Sequence, residues 1–486
     1  MKIDKQQKAP LLEALKKHAQ QEIISFHMPG HKGGKGIDRE LGEWLGKGTL
    51  SIDLTEVPGT DDLHRPESVI KEAQELAAEA FGAEHSFFLV NGTSSGIQAM
   101  LLAVCRPGDK IIVPRNVHRS ILGGIIMAGA WPVYIRPEID ENLGIALGVT
   151  PQRVDEALKA HPDAQGVLLV NPTYYGVSAD LEKIVQLVHG YGKPLLVDEA
   201  HGPHLKFHSD LPLSALEAGA DLCAQGIHKI IGGMTQASML HLQGSRVDLA
   251  RVKNALRMVQ TTSPSYVLMA SLDGARRQMA LEGRGLLEKT IKLAQKAREK
   301  INNLAGFSCL GAEVIGRPGA YQLDLTKLAV SCQETGFTGQ QVEALLREKY
   351  RIQPELSAHN HLLFICTIGD EEKELEMLLR ALQEISQQGK EQPSLNNTIN
   401  YWTIIPEQVL APREAFFAEK EIIPIEAALG RISGEMIAPY PPGIPVLAPG
   451  EKIDLNLLAC LLDIKKKGLK VQGPEDYSLE TLTVVK

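Results

Sequence analysis

The chain has 486 residues, a formal net charge of −8 and a sequence pI of about 6.0, with no block of basic residues. This balance argues against electrostatic binding of nucleic acid or of other polyanions. No stretch approaches the roughly eighteen apolar residues that a membrane span needs, and the N-terminus lacks the apolar core of a secretion signal. The six cysteines form no C-x-x-C pair, which is typical of reduced, mostly buried thiols and predicts a cytoplasmic protein.

The first predicted elements are a helix and a glycine-rich loop. Apolar residues recur at helical spacing over residues 9–20, and the loop 27–34 follows. Its glycines indicate backbone that lies close to another group. His27 and His31 in this loop are either ordinary loop residues or pocket residues.

From about residue 66 to 275, helical patterns alternate with short apolar runs. Continuous apolar runs of this length are typical of strands buried on both faces of a mainly parallel sheet. The sequence therefore predicts an α/β domain with seven strands. They are 86–90, 110–113, 132–135, 166–170, 194–197, 221–224 and 237–240.

A smaller α/β unit is predicted over residues 276–390. Its expected strands are 320–330 and 362–367, separated by a helix at 339–350, and a helix at 371–386 closes it. Residues 387–397 have linker composition. The proline-rich run 438–445 beyond them is either a packed loop or a polyproline ligand, and its apolar neighbours favour the packed loop.

A polar turn directly follows the first predicted strand. Residues 91–96 (NGTSSG) precede a helical pattern, so the free N–H groups of the helix start face the carboxyl end of the strand. The hydroxyls of Thr93, Ser94 and Ser95 can add donors. The turn is therefore either a phosphate site or an ordinary helix cap, and it does not match a P-loop.

The strongest chemical signal is the pair Asp198 and Lys229, at the ends of two predicted strands. An acid for a pyridinium nitrogen and an amine for an aldehyde, about thirty residues apart, are what pyridoxal 5'-phosphate needs. We interpret Lys229 as the Schiff-base lysine and Asp198 as the partner of the pyridine nitrogen. His118, in the loop after the second strand, can stack on the ring.

A metal site is the alternative for one histidine-rich stretch. Asp198, His201, His204 and His208 lie within eleven residues and could bind zinc. This alternative leaves the lysine motif unexplained, so no metal is predicted.

Taken together, seven motifs resemble the Orn/Lys/Arg decarboxylase family of fold-type-I pyridoxal phosphate enzymes, over nearly the whole chain. The likeness is greatest to the short bacterial arginine decarboxylase form. The motifs are 26–34 (FHMPGHKGG), 53–64 (DLTEVPGTDDLH), 91–96, 197–202 (VDEAHG), 228–229 (HK), 233–238 (GMTQAS) and 430–435 (GRISGE).

The resemblance implies a site and a domain plan. It implies that Ser94 and Ser95 bind the phosphate, that Ala200 lies beneath the ring and that His201 lies near the ring hydroxyl. Thr93 and His228 are assigned to the same cofactor site. The implied domains are an N-terminal segment (1–65), the cofactor-binding domain (66–275), the small domain (276–390) and a C-terminal α+β domain (396–486).

The implied function is decarboxylation of a basic amino acid, with L-arginine giving agmatine and CO2 in polyamine biosynthesis. Lysine or ornithine as substrate, another reaction on the same cofactor (aminotransfer or aldol cleavage) and a catalytically silent regulator remain open. At least a homodimer is expected. Asp61, Asp62 and Glu435 are either partners of the substrate's cation or structural residues.

The chain departs from the family pattern just before the lysine. Many relatives have Ser-Thr where this chain has Gly226-Ile227, which removes two hydroxyls. Either cofactor affinity is lower, or backbone N–H groups and the segment 261–264, supplied by a partner subunit, compensate.

Overall fold

The computed structural model of the chain describes residues 3–21, 23–141, 143–388, 404–440 and 443–486. The chain forms two compact units. Unit 1 comprises Met1–Ala103, Asp198–Ser209 and Leu213–Leu287, and unit 2 comprises Val104–Val197, Asp210–Pro212 and Glu288–Lys486. The predicted domain boundaries near residues 65, 275 and 390 stay predictions.

The described α-helices vary in length from one turn to 37 residues. In chain order they are α1 (Ile3–Gln6), α2 (Pro10–Gln20), α3 (Arg39–Ile52), α4 (Val69–Phe81), α5 (Gly92–Val104), α6 (Arg119–Ala128), α7 (Pro151–Ala160), α8 (Leu181–Gly190), α9 (Ala215–Ala218), α10 (Ile227–Ile230), α11 (Leu249–Val259), α12 (Tyr266–Asn302), α13 (Gly339–Tyr350), α14 (Glu372–Ser386), α15 (Pro412–Phe417) and α16 (Leu455–Lys466). Within these described ranges, every helix is too short or too polar to cross a lipid bilayer.

The described strands are short, at most five residues each. In chain order they are β1 (His85–Leu89), β2 (Lys110–Pro114), β3 (Trp131–Ile135), β4 (Ile139–Asp140), β5 (Ile145–Ala146), β6 (Val167–Val170), β7 (Val177–Ser178), β8 (Leu195–Asp198), β9 (Leu222–Gln225), β10 (Ser238–Leu242), β11 (Ser308–Cys309), β12 (Gln322–Leu323), β13 (Lys327–Ser331), β14 (Leu356–Ser357), β15 (His361–Ile365), β16 (Lys420–Pro424), β17 (Ala438–Pro439), β18 (Val471–Gln472) and β19 (Thr481–Val485).

The seven predicted strands form one sheet, in the order β1-β10-β9-β8-β6-β2-β3. Strand β2 runs parallel to β3 and to β6, which confirms the predicted α/β class. Strand β10 runs antiparallel to both β1 and β9, so the sheet is mixed. Every residue of β8, β9 and β10 is buried, as their mainly apolar composition predicts.

A second sheet in unit 2 has the order β11-β13-β15-β14, and α13 and α14 contribute to its apolar core. Both helices were predicted, at 339–350 and 371–386. The prediction of one strand at 320–330 is wrong, because β12 pairs with β7 and only β13 joins this sheet. The chain turns between them, where the buried Asp324 accepts hydrogen bonds from Thr326 N and Lys327 Nζ.

Residues 404–486 have an apolar core of their own, built from α16 and the strands around it. Strand β16 pairs with β19, and β17 pairs with β18. The described part of the proline-rich run confirms a packed loop, since Ala438, Pro439 and Pro445 are buried. Pro441 and Pro442, and the predicted linker from residue 389 onward, lie outside the described residues.

Candidate active site

The lysine predicted to carry the chemistry lies in α10, a single helical turn that begins two residues after β9 ends. Its Nζ is 2.8 Å from Nε2 of His201, which is buried. His201 itself follows β8, the strand next to β9 in the sheet. Two neighbouring strand ends thus bring the amine and the imidazole into hydrogen-bonding contact, although they are 28 residues apart in sequence.

Asp198 is the last residue of β8 and is 4% exposed. Its Oδ1 accepts a hydrogen bond from Ala200 N, 3.1 Å away. Burial raises the pKa of Asp198, and the charge of Lys229 opposes that shift. A buried carboxylate beside a lysine favours a cationic hydrogen-bond donor as its partner, because such a donor offsets the cost of burying the negative charge.

The glycine before α10 is needed for close packing. A Cβ on Gly226 would lie 2.8 Å from Ala200 O, 3.1 Å from Thr93 Oγ1 and 3.2 Å from Lys229 Cδ. The first distance is too short for a real contact, and its partner is backbone. A side chain at position 226 would therefore collide with the Ala200 backbone in this chain.

The polar turn forms the start of α5, as predicted. Gly92 has φ of +74°, and Ser95 Oγ donates to its carbonyl over 2.8 Å. Thr93 Oγ1 lies 3.0 Å from Ser238 Oγ, while Ser94 is half-buried. The first N–H groups of a thirteen-residue helix and the Ser94 hydroxyl are donors suited to an anion.

The segment 261–264 packs beside this turn in its own chain, which the sequence did not predict. Thr261 N donates to Asn91 Oδ1 over 3.4 Å. The adjacent Gln260 is buried, accepts from Val90 N over 2.9 Å and donates to Phe88 O over 3.2 Å. These contacts hold the start of the segment next to residue 91 of its own chain; that the segment 261–264 serves a partner subunit's site stays a prediction.

A buried polar chain, which sequence reasoning missed, runs from the residue after β8 across the neighbouring strands β9, β10 and β1. Glu199 accepts from Gln225 Nε2 over 2.6 Å, and Gln225 Oε1 lies 3.2 Å from His241 Nε2. His241 Nδ1 is 2.7 Å from Ser86 Oγ. We call these four residues the Glu199 chain. Polar residues inside the apolar strands β9 and β10 were the signal that could have revealed it.

Burial dominates the ionisation of the Glu199 chain. It raises the pKa of Glu199 to about 7, although hydrogen bonds from Gln225, Ala215 N and Cys223 favour the carboxylate. Burial lowers the pKa of His241 to about 3, so this imidazole is neutral at physiological pH. When Glu199 is ionised and His241 carries its proton on Nε2, every hydrogen bond of the chain has one donor and one acceptor: Ser86 donates to His241, His241 to Gln225 and Gln225 to Glu199.

His118 belongs to unit 2, where it caps the start of α6. Its Nδ1 accepts from Ser120 N over 3.2 Å and lies 2.8 Å from Ser120 Oγ. A neutral ring therefore carries its proton on Nε2. The ring is exposed on this chain.

The other histidines of interest have local partners. His228 Nδ1 is 3.0 Å from Ala237 O, and burial lowers the pKa of this ring. His31 bonds Asp53 Oδ2 over 3.1 Å and accepts from Gly34 N, so it shapes its own loop. Within the described ranges, no three His, Cys, Asp or Glu side chains group closely enough to hold a metal ion.

Two of the three acids considered for the substrate's cation have structural roles. Asp61 accepts hydrogen bonds from the backbone N–H groups of Ser68 and Ile70, at the start of α4. Burial acts to raise its pKa, but backbone hydrogen bonds, that of Ser68 among them, outweigh burial and lower the pKa. The two carboxylate oxygens of Glu435 accept from Thr483 N and Glu475 N. Asp62 accepts from His64 N over 2.8 Å.

Comparison with known proteins gives consistent matches. The family model described as "Orn/Lys/Arg decarboxylase, major domain" matches residues 9–374, and "Orn/Lys/Arg decarboxylase, C-terminal domain" matches residues 396–467. A Bacillus subtilis protein named arginine decarboxylase is 48% identical over 99% of this chain and 98% of its own. One of the same name from Halalkalibacterium halodurans is 47% identical, over 100% of this chain and 99% of its own.

A solved structure shows the same fold over almost all of the chain. The lysine decarboxylase LdcF of Francisella novicida superposes with a TM-score of 0.87 at 23% identity. The match covers 98% of this chain and 80% of that one.

Proposed function

The chain belongs to the Orn/Lys/Arg decarboxylase family, and from that premise we propose that it converts L-arginine to agmatine and CO2, with pyridoxal 5'-phosphate held by Lys229. The observation that carries the proposal is the contact between Lys229 Nζ and His201 Nε2, beside the buried carboxylate of Asp198. Choosing arginine rests on the relatives of that name at 47% and 48% identity.

Three features of unit 1 suit this cofactor. Asp198 is a buried acid, which a protonated pyridine nitrogen would neutralise. The start of α5 offers N–H groups and hydroxyls for a phosphate dianion. Gly226 lets the Ala200 backbone and the Lys229 side chain lie close to position 226. Asp198, the start of α5 and Lys229 thus suit the pyridine nitrogen, the phosphate and the aldehyde of the cofactor.

When bound, pyridoxal phosphate withdraws the electron pair that the departing carboxylate leaves on the substrate's Cα. Asp198 keeps that electron demand high by holding a proton on the pyridine nitrogen. His201 orients Lys229 Nζ, which holds the cofactor before substrate arrives and then transfers a proton. We assign Thr93, Ser94 and Ser95 to the phosphate, Ala200 to one ring face and His118 to stacking on the other.

The proposal is tested by incubating the cofactor-loaded protein separately with L-arginine, L-lysine and L-ornithine, and measuring CO2 and the amine product. We expect agmatine from arginine, and loss of product by at least roughly a thousandfold in Lys229→Ala. Cadaverine or putrescine as the main product would assign lysine or ornithine, respectively, as the substrate in place of arginine. No product from any of the three, from protein that binds the cofactor, would favour another reaction or a regulatory role.

We also propose that the working form is a homo-oligomer, at least a dimer, in the cytoplasm. Ile24, Phe26 and Trp44 are 83%, 95% and 85% exposed on this chain, and large apolar side chains grouped in one segment favour burial against a second copy. All six cysteines are buried and outside disulfide bonds, which suits a reducing compartment.

A further inference from the structure

The loop that carries His118 begins with a buried ion pair. Arg115 is 2% exposed, and Glu451, far along the chain, is 0% exposed. The two terminal nitrogens of the guanidinium donate to the carboxylate, with Nη1 2.5 Å from Oε1 and Nη2 3.0 Å from Oε2. Both residues belong to unit 2. This fork is the most directional contact that an arginine can make with an acid.

Further contacts hold both partners in place. Arg115 Nη2 also donates to Val446 O over 2.8 Å, and its guanidinium lies 4.7 Å from the centre of the Tyr134 ring. Arg115 N donates to Ile135 O over 2.9 Å, at the end of β3. Glu451 Oε2 accepts from Ala448 N over 2.7 Å. The pair therefore fixes the backbone at residue 115 relative to residues 446–451.

The helix that His118 caps has two more ties to the same C-terminal region. Arg119 Nη1 lies 3.2 Å from Gln472 Oε1 at the start of α6. Arg413 Nη1 donates to Met127 O over 2.8 Å near its end. The side chains of three arginines, Arg115, Arg119 and Arg413, thus connect the 115–128 segment to residues 404–486. Of the three, Arg115 is buried together with its partner Glu451, and it stands three residues before His118.

We propose that Arg115 and Glu451 are positioning residues through which the C-terminal region sets the placement of His118 and so the affinity for the cofactor. This inference rests on the proposed contact of His118 with the cofactor. With the Arg115 backbone fixed on one side and the α6 cap on the other, only Asn116 and Val117 separate the fixed point from the imidazole. A shift at residue 115 therefore acts on the short segment that carries the imidazole.

A buried ion pair of this kind contributes little to stability. Two possible roles of the pair, holding the fold and positioning His118, can therefore be separated by experiment. Removing one partner leaves an unpaired buried charge, whereas replacing both with apolar residues of similar volume is often neutral for stability. If the pair only holds the fold, the apolar replacement should restore everything. If the pair positions His118, the apolar replacement should restore the stability of the fold but not the affinity for the cofactor, because apolar contacts lack the directionality of the fork.

The test measures the dissociation constant of pyridoxal phosphate by visible absorbance, together with the thermal midpoint, in the full-length protein. In Arg115→Met/Glu451→Met we expect a modestly lower midpoint, because Val446 O and Ala448 N lose their partners, and a roughly tenfold weaker dissociation constant. In the His118→Ala background the same double change should weaken binding less than about twofold, because the residue through which it acts is gone. If the double variant does not fold, Arg115→Lys, which keeps the charge and loses the fork, is measured by the same criteria.

The control is Asp454→Ala, which removes the cap of α16 in the same region without touching the pair. It should lower the thermal midpoint and leave the dissociation constant unchanged. Parental affinity in the variant of the pair, or an equal loss in the His118→Ala background, would overturn the inference. Unchanged affinity in His118→Ala alone would instead remove the proposed His118 contact and the inference with it, whereas loss of binding in Lys229→Ala tests the proposed function separately.

Discussion

Two regions of unit 1 carry family motifs of equal clarity but differ in what surrounds them. Around Lys229, the motif side chains of Asp198, Glu199 and His201 are buried and bonded within the chain. In residues 23–52, which we call the N-terminal motif segment, Phe26 and Trp44 face outward. The side chains of the first region are buried by their own chain, whereas the second region presents apolar surface that favours a second copy. A sequence motif thus does not show whether its side chains are buried by their own chain or by a second copy.

Of the changes that test this comparison, we expect the largest effect, a loss of turnover, from a substitution of Asp198 in the buried region. Asp198→Asn keeps the shape but cannot hold a proton on the pyridine nitrogen, so we expect turnover to fall by roughly a hundredfold or more. Steady-state rates with arginine, beside the thermal midpoint of the same protein, measure this. Parental turnover in Asp198→Asn would show that the buried acid serves only the fold.

A smaller effect is expected on the pH dependence of stability, from Glu199. Its pKa is raised to about 7 in the fold, above the ordinary value of 4.5, so its contribution is fully present below pH 4.5 and is lost as pH rises through 7. The shift corresponds to at most about 3 kcal/mol. In Glu199→Gln this loss should disappear, because glutamine does not titrate and the Glu199 chain can reverse its donors if His241 moves its proton to Nδ1.

Urea unfolding of parent and variant at about pH 5 and about pH 8 measures this difference. Ser86→Ala is the matched control, since it shortens the same chain without removing the acid. An identical pH dependence in parent and Glu199→Gln would show that Glu199 does not titrate in this range.

The smallest effect concerns the N-terminal motif segment. Trp44→Ser should weaken self-association by roughly tenfold to a hundredfold, because an exposed aromatic in an interface anchors it, while the thermal midpoint of the dissociated chain stays unchanged. Sedimentation over a concentration series measures the association constant. Tyr477→Ser, at a residue 70% exposed in unit 2, is the control and should leave association unchanged. Equal behaviour of the two variants would contradict an interface at Trp44.

The sequence predicted the seven strands of the sheet to within two residues, because apolar runs bounded by polar turns report burial directly. The sequence did not predict the antiparallel direction of β10, because an apolar run indicates that a strand is buried but not in which direction it runs. The sequence prediction joined β12 and β13 into one strand, because the polar groups of the turn at Asp324 are buried and hydrogen-bonded to one another, which composition does not reveal.

For the site, the lysine and the acid could be predicted because their chemistry demands specific residue types at strand ends. The Glu199 chain and the pair Arg115–Glu451 could not, since each joins residues distant in sequence through geometry that only the fold supplies. The roles of Asp61 and Glu435 were open in the sequence for the same reason. Their backbone partners decide between binding and structural roles.

The central claim is that Lys229 holds the cofactor, and reductive trapping tests it most directly. The loaded protein is treated with borohydride, digested and mapped by mass spectrometry, with Lys229→Ala treated in parallel. We predict the cofactor's mass on the peptide that contains Lys229, at that lysine, and none in the variant. The mass on another lysine, or its absence from a preparation that decarboxylates arginine, would contradict the account.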